Sequence, residues 1–266
     1  MRIATWNVNG IRARQGELQD LIDHEHPDVL CIQEIKASPD QLPVWLIDIE
    51  GYWGYWHGAK GYSGVALLVK KAVCPDRLAC AHPGFDFEHR IVTADLPGIT
   101  VASIYVPNGG KDFDAKMRFL EALDRFAADS AASSRALVLC GDLNVARTEN
   151  DVHSKERKPR AVGQLPEERE LIERILSRGL TDVQRQLHPD DFDLFTWWAP
   201  WRNMKARNIG WRLDYVLASA PLSTTAVSCR VLREFGTSDH GPVIAEFAEG
   251  SGLQAPGSGP LIDPSA

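Results

Sequence analysis

The feature that most constrains the fold is a series of short apolar runs that come in neighbouring pairs. In one pair, residues 91–96 and 99–106 are separated only by Pro97-Gly98, which favours a hairpin. Pairing of this kind is typical of antiparallel strands rather than strict strand–helix–strand alternation. The sequence therefore predicts an α/β protein with two mixed, mainly antiparallel β-sheets packed face to face. The strand-like runs are residues 2–8, 28–33, 64–69, 91–96, 99–106, 135–141, 211–218, 226–232 and 242–247.

Helical patterns fall between some of these runs and predict helices outside the sheets. Asp112 is placed to cap a helix whose apolar residues recur at spacings of three and four. A second helix begins near Pro166, carries acidic residues in its first turn and ends at Gly179. Weaker patterns predict helices at roughly 14–25 and 39–48.

The bulk properties predict one domain. With 266 residues, of which 44% are hydrophobic, the chain is long enough for a single large domain, and we assign residues 1–249 to it. Residues 250–266 are rich in Gly, Pro and Ser, which predicts a disordered tail. The sequence has no apolar run long enough to span a membrane. Since Met1-Arg2 leads directly into a strand and the five cysteines form no CxxC pair, we expect a reduced, cytoplasmic, monomeric protein.

The net charge of −7 argues at first against an anionic partner, but the cations are clustered. Residues 153–160 carry four cations and one acid, and residues 201–212 carry Arg202, Lys205, Arg207 and Arg212 with no acid. On charge alone, two solvated loops explain this equally well. The tryptophans within the second cluster favour a nucleic-acid contact surface.

Polar side chains repeatedly follow apolar runs at the point where a strand should end. In "RALVLCGDLNVA", Asp142 and Asn144 come directly after such a run and are spaced to point to one face. Each case alone is explained by a turn hydrogen bond or an ion pair at the rim. Together, they predict that several strand ends meet in one polar cleft. The residues expected to line it are Asn7, Glu34, Asp142, Asn144, Asp214, Asp239 and His240.

Such a cleft would bring carboxylates together, and these repel unless a cation neutralises them or one holds a proton. Oxygen ligands without a cysteine set indicate Mg²⁺, with Mn²⁺ as its substitute, rather than zinc. The chemistry expected from such an ion is phosphoester hydrolysis.

Taken in order, these motifs resemble the exonuclease III-type apurinic/apyrimidinic endonucleases of the endonuclease–exonuclease–phosphatase superfamily. The resemblance covers about residues 1–248 and implies a four-layer α/β sandwich with its site where the sheets open at one edge. The segments that carry it are "WNVNGIR", "CIQEIK", "GYSGVALL", "YVPNGG", "CGDLNVA", "LPEERE", "FTWWAPW", "NIGWRLDYVLAS" and "SDHGPV".

The resemblance also implies roles for the cleft residues. Glu34 would be the principal Mg²⁺ ligand, and Asp142 would position or deprotonate the attacking water. His240, oriented by Asp214, would bind the scissile phosphate. Which of these groups takes the proton stays open. Further metal ligands would come from Asn7, Asp239, Asp142 and Asn144, and further contacts to the phosphate from Asn144, Tyr105 and Asn108.

The implied substrate is duplex DNA with an abasic site or a blocked 3′ end. Trp197, Trp211 and Leu213 would wall a pocket for an extruded deoxyribose that lacks its base. The side chains expected to grip the DNA backbone are Lys111, Arg90, Arg202, Lys205 and Arg207. The loop "HSKERKPRAVGQ" departs from the family, with Lys158 and Ala161 where asparagines often occur. How the sugar is recognised, and the balance between endonuclease and 3′-exonuclease activity, therefore stay open.

Three functions are therefore compared. The first is a Mg²⁺-dependent base-excision-repair nuclease that cuts 5′ to abasic sites, leaves a 3′-hydroxyl and trims 3′ ends. The second is a phosphomonoester or phosphoinositide phosphatase of the same superfamily, against which the tryptophan-rich loop argues. The third is a non-catalytic nucleic-acid-binding regulator, which would not need the metal ligands that this chain keeps.

Overall fold

Two six-stranded sheets form the centre of the molecule in the computed structural model, which describes residues 1–59, 61–133 and 135–248. The tail predicted for 250–266 lies outside the described residues. The first sheet has the order β11-β12-β1-β2-β4-β3. Its strands are β1 (Arg2–Asn7), β2 (Val29–Gln33), β3 (Tyr52–Ala59), β4 (Tyr62–Lys70), β11 (Ala226–Val231) and β12 (Val243–Phe247).

The second sheet has the order β5-β6-β7-β8-β10-β9. Each sheet contains one parallel pair, β1–β2 or β7–β8, and its other pairs are antiparallel. The strands of the second sheet are β5 (Cys80–Ala81), β6 (Ile91–Leu96), β7 (Ile99–Tyr105), β8 (Ala136–Asp142), β9 (Leu180–Asp182) and β10 (Asp214–Ser219).

The first four helices of the described chain pack on the outer faces of the sheets, whereas the two short helices at 183–187 and 220–223 also pack against the core between them. Asp112 caps α3 as predicted, since its side chain accepts a hydrogen bond from the backbone nitrogen of Ala115 at 2.8 Å. The helices are α1 (Gln15–Glu25), α2 (Val44–Ile47), α3 (Phe113–Ala132), α4 (Pro166–Ser177), α5 (Val183–Leu187) and α6 (Ala220–Ser223). No helix in the described part of the chain is both long and apolar enough to cross a membrane.

Alternating side chains explain the layers. On β2, Val29 and Cys31 face the core between the sheets, whereas Leu30 and Ile32 face the core beneath α1. A third core joins the second sheet to α3 and α4. The order is therefore helices, sheet, sheet, helices, which agrees with the predicted four-layer sandwich.

The two parallel pairs position the polar residues at one edge. Parallel strands end on the same side, so β1 and β2 deliver Asn7 and Glu34 together, and β7 and β8 deliver Tyr105 and Asp142 together. Asp214 begins β10 and pairs in register with Asp142 on the antiparallel β8.

Several elements differ from the sequence predictions. The strand predicted at 211–218 begins only at Asp214, because residues 211–213 form an isolated bridge and a loop. Strands β3, β5 and β9 were not predicted, β3 because "YWGYWHGA" mixes aromatic residues with glycines. The predicted helix at 39–48 is only a 3₁₀ turn followed by the four-residue α2, since Pro43 separates them.

Candidate active site

A cleft of about 350 Å³ lies at the edge where the two parallel strand pairs end. Larger cavities occur elsewhere on the described surface, so the chemistry of the lining rather than the volume distinguishes this one. One ligand atom from each of Glu34, Asp142 and His240 lies within 4.8 Å of the others. The structure therefore brings together side chains that are more than 200 residues apart in sequence. The cleft is lined by Asn9, Glu34, Lys36, Tyr105, Asn108, Asp142, Asn144, Val162, Trp197, Trp211, Leu213, Asp239 and His240.

Glu34 follows β2 with a left-handed backbone, φ 53°, which turns its carboxylate into the cleft. Its Oε1 accepts a hydrogen bond from Asn7 Nδ2 at 3.0 Å, and its Oε2 lies 2.8 Å from Lys36 Nζ. Burial alone would raise the pKa of Glu34, but the bonds from Asn7 and Lys36 outweigh it and lower the pKa. Glu34 is therefore ionised at neutral pH.

Asp142 is the last residue of β8 and is almost fully buried. Asn144 donates its backbone N–H to Oδ1 at 2.8 Å, and Asn7 donates Nδ2 to Oδ2 at 2.9 Å. Burial, together with the charges of Asp214 and Glu34, raises the pKa of Asp142 to about 7, although nearby His240 opposes the rise. A carboxylate of this kind can exchange a proton near neutral pH.

Gly141 lets β8 approach β7 closely. Its φ of 148° is rarely adopted by other residues, and a Cβ built at this position would lie 1.9 Å from the carbonyl oxygen of Ile104. Only glycine therefore fits one residue before Asp142.

His240 lies between two carboxylates. Its Nδ1 is 2.8 Å from Asp214 Oδ2, and its Nε2 is 3.9 Å from Asp142 Oδ2. Burial would lower the pKa of His240, but Asp214 above all, with Asp142 and Asp239, raises it to about 10. The imidazole is therefore a cation at neutral pH, and Asp214 fixes its orientation.

Tyr105 and Asn108 lie beside the carboxylates, as the sequence analysis expected. Burial and the charges of Glu34 and Asp142 raise the pKa of Tyr105 well above its ordinary value, so its hydroxyl stays protonated. Asn108 donates Nδ2 to Asn144 Oδ1 at 3.2 Å. Asn144 in turn donates Nδ2 to Asp142 Oδ2 at 3.2 Å, so Asn108 is connected to the buried carboxylate.

The structure places Asn7 and Asp239 differently from simple metal ligands. The amide nitrogen of Asn7 faces both Glu34 and Asp142, while its oxygen accepts a bond from the backbone of Asn9. Asp239 lies at the rim, where Asn9 Nδ2 and Trp197 Nε1 donate to its carboxylate at 2.8 and 3.0 Å.

One wall of the cleft is apolar. The rings of Trp197 and Trp211 pack edge to face, with their centroids 5.8 Å apart, and Leu213 is buried beside them. The backbone of Trp197 pairs with both Trp211 and His240. The predicted pocket residues therefore line the same cleft as the carboxylates.

The predicted DNA-contacting cations divide into two groups. Lys111, Arg202 and Arg207 are exposed, as a contact to a DNA backbone requires. Arg90 is only 2% exposed, pairs with Glu88 and stacks on the Tyr105 ring at 4.8 Å. In this structure Arg90 therefore supports Tyr105 rather than facing solvent.

Lys205 is also engaged within the protein. Its Nζ donates to the carbonyl oxygens of Phe235 and Ser238 at 3.2 and 3.1 Å. It thereby ties the basic loop to the segment that precedes His240.

Sequence reasoning missed two lysines that support the site. Lys36 pairs with Glu34, and its signal was its place in "CIQEIK", two residues after Glu34. Lys116 is fully buried, pairs with Glu168 and donates to the backbone oxygen of Asn144 at 2.7 Å. No local signal marks Lys116, because its partners come from distant segments.

Comparison with known proteins agrees with this geometry. Residues 4–240 match the model of the endonuclease/exonuclease/phosphatase family. The chain is 35% identical to the DNA repair nuclease APEX1 of Danio rerio over 259 residues, covering 91% of this chain and 81% of that protein.

Two solved structures share the fold. One is an AP endonuclease from Archaeoglobus fulgidus, with a TM-score of 0.82, 31% identity and coverage of 93% of this chain and 99% of that one. The other is the 3′ phosphatase NExo from Neisseria bound to product DNA hairpin, with a TM-score of 0.86, 31% identity and the same coverage. They confirm the predicted fold class and the family resemblance. This chain belongs to the endonuclease/exonuclease/phosphatase family.

Proposed function

We propose that this protein is a DNA-repair phosphodiesterase that cuts duplex DNA on the 5′ side of abasic sites, leaves a 3′-hydroxyl and trims blocked 3′ ends. The observation that carries the proposal is the convergence of Glu34, Asp142 and His240 within 4.8 Å beside an aromatic wall. The relatives support it, since they are named as a DNA repair nuclease, an AP endonuclease and a 3′ phosphatase.

The donor set of the cleft fits a hard divalent cation, which we propose to be Mg²⁺ with Mn²⁺ as a substitute. Glu34 is ionised and partly accessible, and the pKa of Asp142 is raised by burial and by the nearby charges of Asp214 and Glu34. Such a site is relieved by a cation with oxygen ligands. Glu34 would hold the ion with Asp142, and Asp239, which lines the same cleft, would be a further ligand. When bound, the ion supplies Lewis-acid polarisation of a phosphate oxygen.

The protein's own residues would handle the proton and the phosphate. Because His240 is cationic at neutral pH, it is suited to bind a phosphate oxygen rather than to accept a proton. Asp142 has a pKa near 7 and would orient and deprotonate the attacking water. The neutral Tyr105 hydroxyl would donate a hydrogen bond as charge builds on the phosphate.

The aromatic wall supports selection of the lesion. Trp197, Trp211 and Leu213 give an apolar pocket next to the carboxylates, which suits a deoxyribose without its base. Extrusion from the duplex costs least where no base is stacked, so the lesion itself aids selection. The exposed Lys111, Arg202 and Arg207 would contact DNA phosphates.

The test uses one synthetic duplex with a single abasic site and an undamaged duplex of the same sequence, each with Mg²⁺ and with chelator. We expect a single cut 5′ to the lesion, with a 3′-hydroxyl, only in the damaged duplex with Mg²⁺. Equal cleavage in chelator would refute the metal requirement. Hydrolysis of a soluble phosphomonoester without cleavage of the abasic duplex would instead establish the phosphatase function.

We further propose that the protein acts as a cytoplasmic monomer. The support is the sequence expectation alone. Light scattering of the purified protein with and without DNA is the direct test of the monomeric state. A stable dimer in the absence of DNA would contradict it.

A further inference from the structure

We propose that His57, His82 and Asp86, joined by His89, form a zinc site separate from the catalytic cleft. One ligand atom from each of the first three residues lies within 4.8 Å of the others. The ring of His89 lies 4.6 Å from that of His57. The cluster thus gathers three of the chain's eight histidines around one carboxylate.

The cluster joins the two sheets. His57 lies on β3, at the edge of the first sheet, whereas the other three residues lie on the segment between β5 and β6 of the second sheet. His57 Nε2 is 2.6 Å from Asp86 Oδ2, and the rings of His57 and His82 stack with their centroids 3.7 Å apart. A single ion here would therefore cross-link segments from different sheets.

The backbone already orients Asp86 as a ligand would need. Its Oδ1 accepts hydrogen bonds from the backbone nitrogens of Arg90 and Ile91 at 2.8 and 3.2 Å. This fixes the carboxylate and leaves Oδ2 directed at His57. Carboxylates that bind metals are commonly held in this way by a second set of hydrogen bonds.

A hydrogen-bonded His–Asp pair alone accounts for His57 and Asp86, but not for the two further imidazoles. His82 stacks directly on His57, and His89 follows Glu88 in a strained turn where both have positive φ, 57° and 59°. Glu88 does not neutralise the histidines, since it pairs with Arg90 at 2.8 Å. A cation shared by the imidazoles and Asp86 explains why all four converge.

The donor types indicate zinc. Imidazole and carboxylate donors in a set of four suit Zn²⁺, whereas Mg²⁺ prefers oxygen ligands. With zinc–ligand bonds of about 2.0–2.1 Å, tetrahedral ligand atoms lie about 3.4 Å apart, so the ligand atoms of His57, His82 and Asp86 have to move together by about 1.4 Å at most. His82 is exposed, and its Nδ1 makes only a long contact of 3.4 Å with the carbonyl oxygen of Ile91, so a small movement of its ring breaks no short hydrogen bond.

The predicted consequence is a more rigid connection beneath the cleft. The segment from His82 to His89 leads directly to Arg90, whose guanidinium stacks on Tyr105. Zinc at the cluster would hold this segment against β3 and so limit movement of Arg90.

The test measures metal uptake by untagged full-length protein, stripped of metals and kept in excess Mg²⁺ to fill the catalytic cleft. Zn²⁺ is titrated calorimetrically, and Co²⁺ is titrated to record its absorption spectrum in the visible range. The variants are His82→Ala and Asp86→Asn, of which the second keeps the acceptor for the two backbone nitrogens. The matched control is His24→Ala, because His24 is an exposed histidine on α1, outside the cluster.

We expect one equivalent of Zn²⁺, an intense tetrahedral Co²⁺ spectrum and a higher melting temperature in the wild type and in His24→Ala. Each cluster variant should bind zinc at least ~10-fold more weakly, which is the smallest loss usual for perturbing a metal site. Unchanged zinc binding in both cluster variants, or no uptake by the wild type, would overturn the proposal. A further variant, Glu34→Gln, alters the catalytic cleft. If it loses zinc uptake while the cluster variants keep it, the zinc lies in the cleft and the proposal is overturned.

Discussion

Two buried aspartates, Asp142 and Asp151, have opposite electrostatic environments. Asp142 and Asp151 are each only 1% exposed, yet the pKa of Asp142 is raised to about 7 and that of Asp151 is lowered to about 2. Burial would raise the pKa of both. The difference comes from their partners, since Asp151 lies 2.7 Å from Arg212 and 2.8 Å from Arg185.

Around Asp151, arginines match the charges of the buried carboxylates. Arg212 is fully buried and binds Asp182 with two nitrogens at 2.9 and 2.7 Å while its Nε binds Asp151. In the cleft, amides and a histidine at 3.9 Å are the partners of Asp142, and further carboxylates lie nearby. A buried carboxylate thus stabilises the fold where an arginine matches it, and becomes available for chemistry where the match is left incomplete.

The largest effect expected is on catalysis. Asp142→Asn should reduce cleavage of an abasic duplex by about 10²–10⁴-fold, because it removes the group that activates water. Its free energy of unfolding should stay within about 1 kcal/mol of the wild type, since relief of charge repulsion offsets weakened hydrogen bonds. Single-turnover cleavage and urea unfolding measure the two quantities. Asp95→Asn, at an exposed site, is the matched control, and normal turnover by Asp142→Asn would refute the role of this residue.

The second prediction concerns Arg212, which binds both Asp151 and Asp182. Arg212→Met should lower the free energy of unfolding by about 3–5 kcal/mol, because Asp182 loses its two hydrogen bonds from Arg212 and Asp151 keeps only Arg185. Arg233→Met removes an exposed arginine and should change it by less than about 0.5 kcal/mol. Urea unfolding at neutral pH compares the two variants. Equally small losses of unfolding free energy in the two variants would show that the bonds from Arg212 to Asp151 and Asp182 do not stabilise the fold.

The third prediction concerns the loss of stability in acid as Asp151 is protonated. Because the pKa of Asp151 is below its ordinary value of 3.8, its stabilisation is present above about pH 4 and is lost as the pH falls towards about 2. At 1.36 kcal/mol for each pKa unit, the loss is about 2 kcal/mol. The stability gap between the wild type and Asp151→Asn should narrow by that amount from pH 5.5 to pH 2. A gap that stays constant would contradict the lowered pKa.

The smallest effect concerns the pH profile of cleavage. Activity needs Asp142 ionised and His240 protonated, so with Mg²⁺ bound, which favours the ionised carboxylate, it should rise at or below about pH 7 and fall above about pH 10. Asp214→Asn removes the main charge that keeps His240 protonated and should move the upper limb down by about 1–3 pH units. Rates of cleavage from pH 5.5 to 10.5 measure both limbs. An unmoved upper limb would show that it does not report His240.

Much of the fold and of the cleft could be predicted from the sequence, because the signals are local. Apolar runs predicted most strands, and Asp142 with Asn144 marked a strand end that the structure places in the cleft. The antiparallel pairing of Asp214 with Asp142 was not predictable, since register depends on the assembled sheet.

What sequence reasoning missed depends on contacts between distant segments. The Arg212 group joins residues about 30 and 60 positions apart, and nothing local distinguishes Arg212 from the other cations of its basic cluster. The same cause explains Arg90 and Lys205, which were expected to face DNA and instead support the cleft from within. Charge shows that an arginine or lysine needs a partner, but tertiary structure decides which one.

The close approach of β7 and β8 at Gly141 has a consequence for how this enzyme can be altered. Even the methyl group of alanine there would push the two strands apart and move Asp142 relative to Tyr105. A screen for inactive variants should therefore recover position 141 as readily as the reacting carboxylate beside it. Directed evolution of this protein would therefore have to keep glycine at position 141.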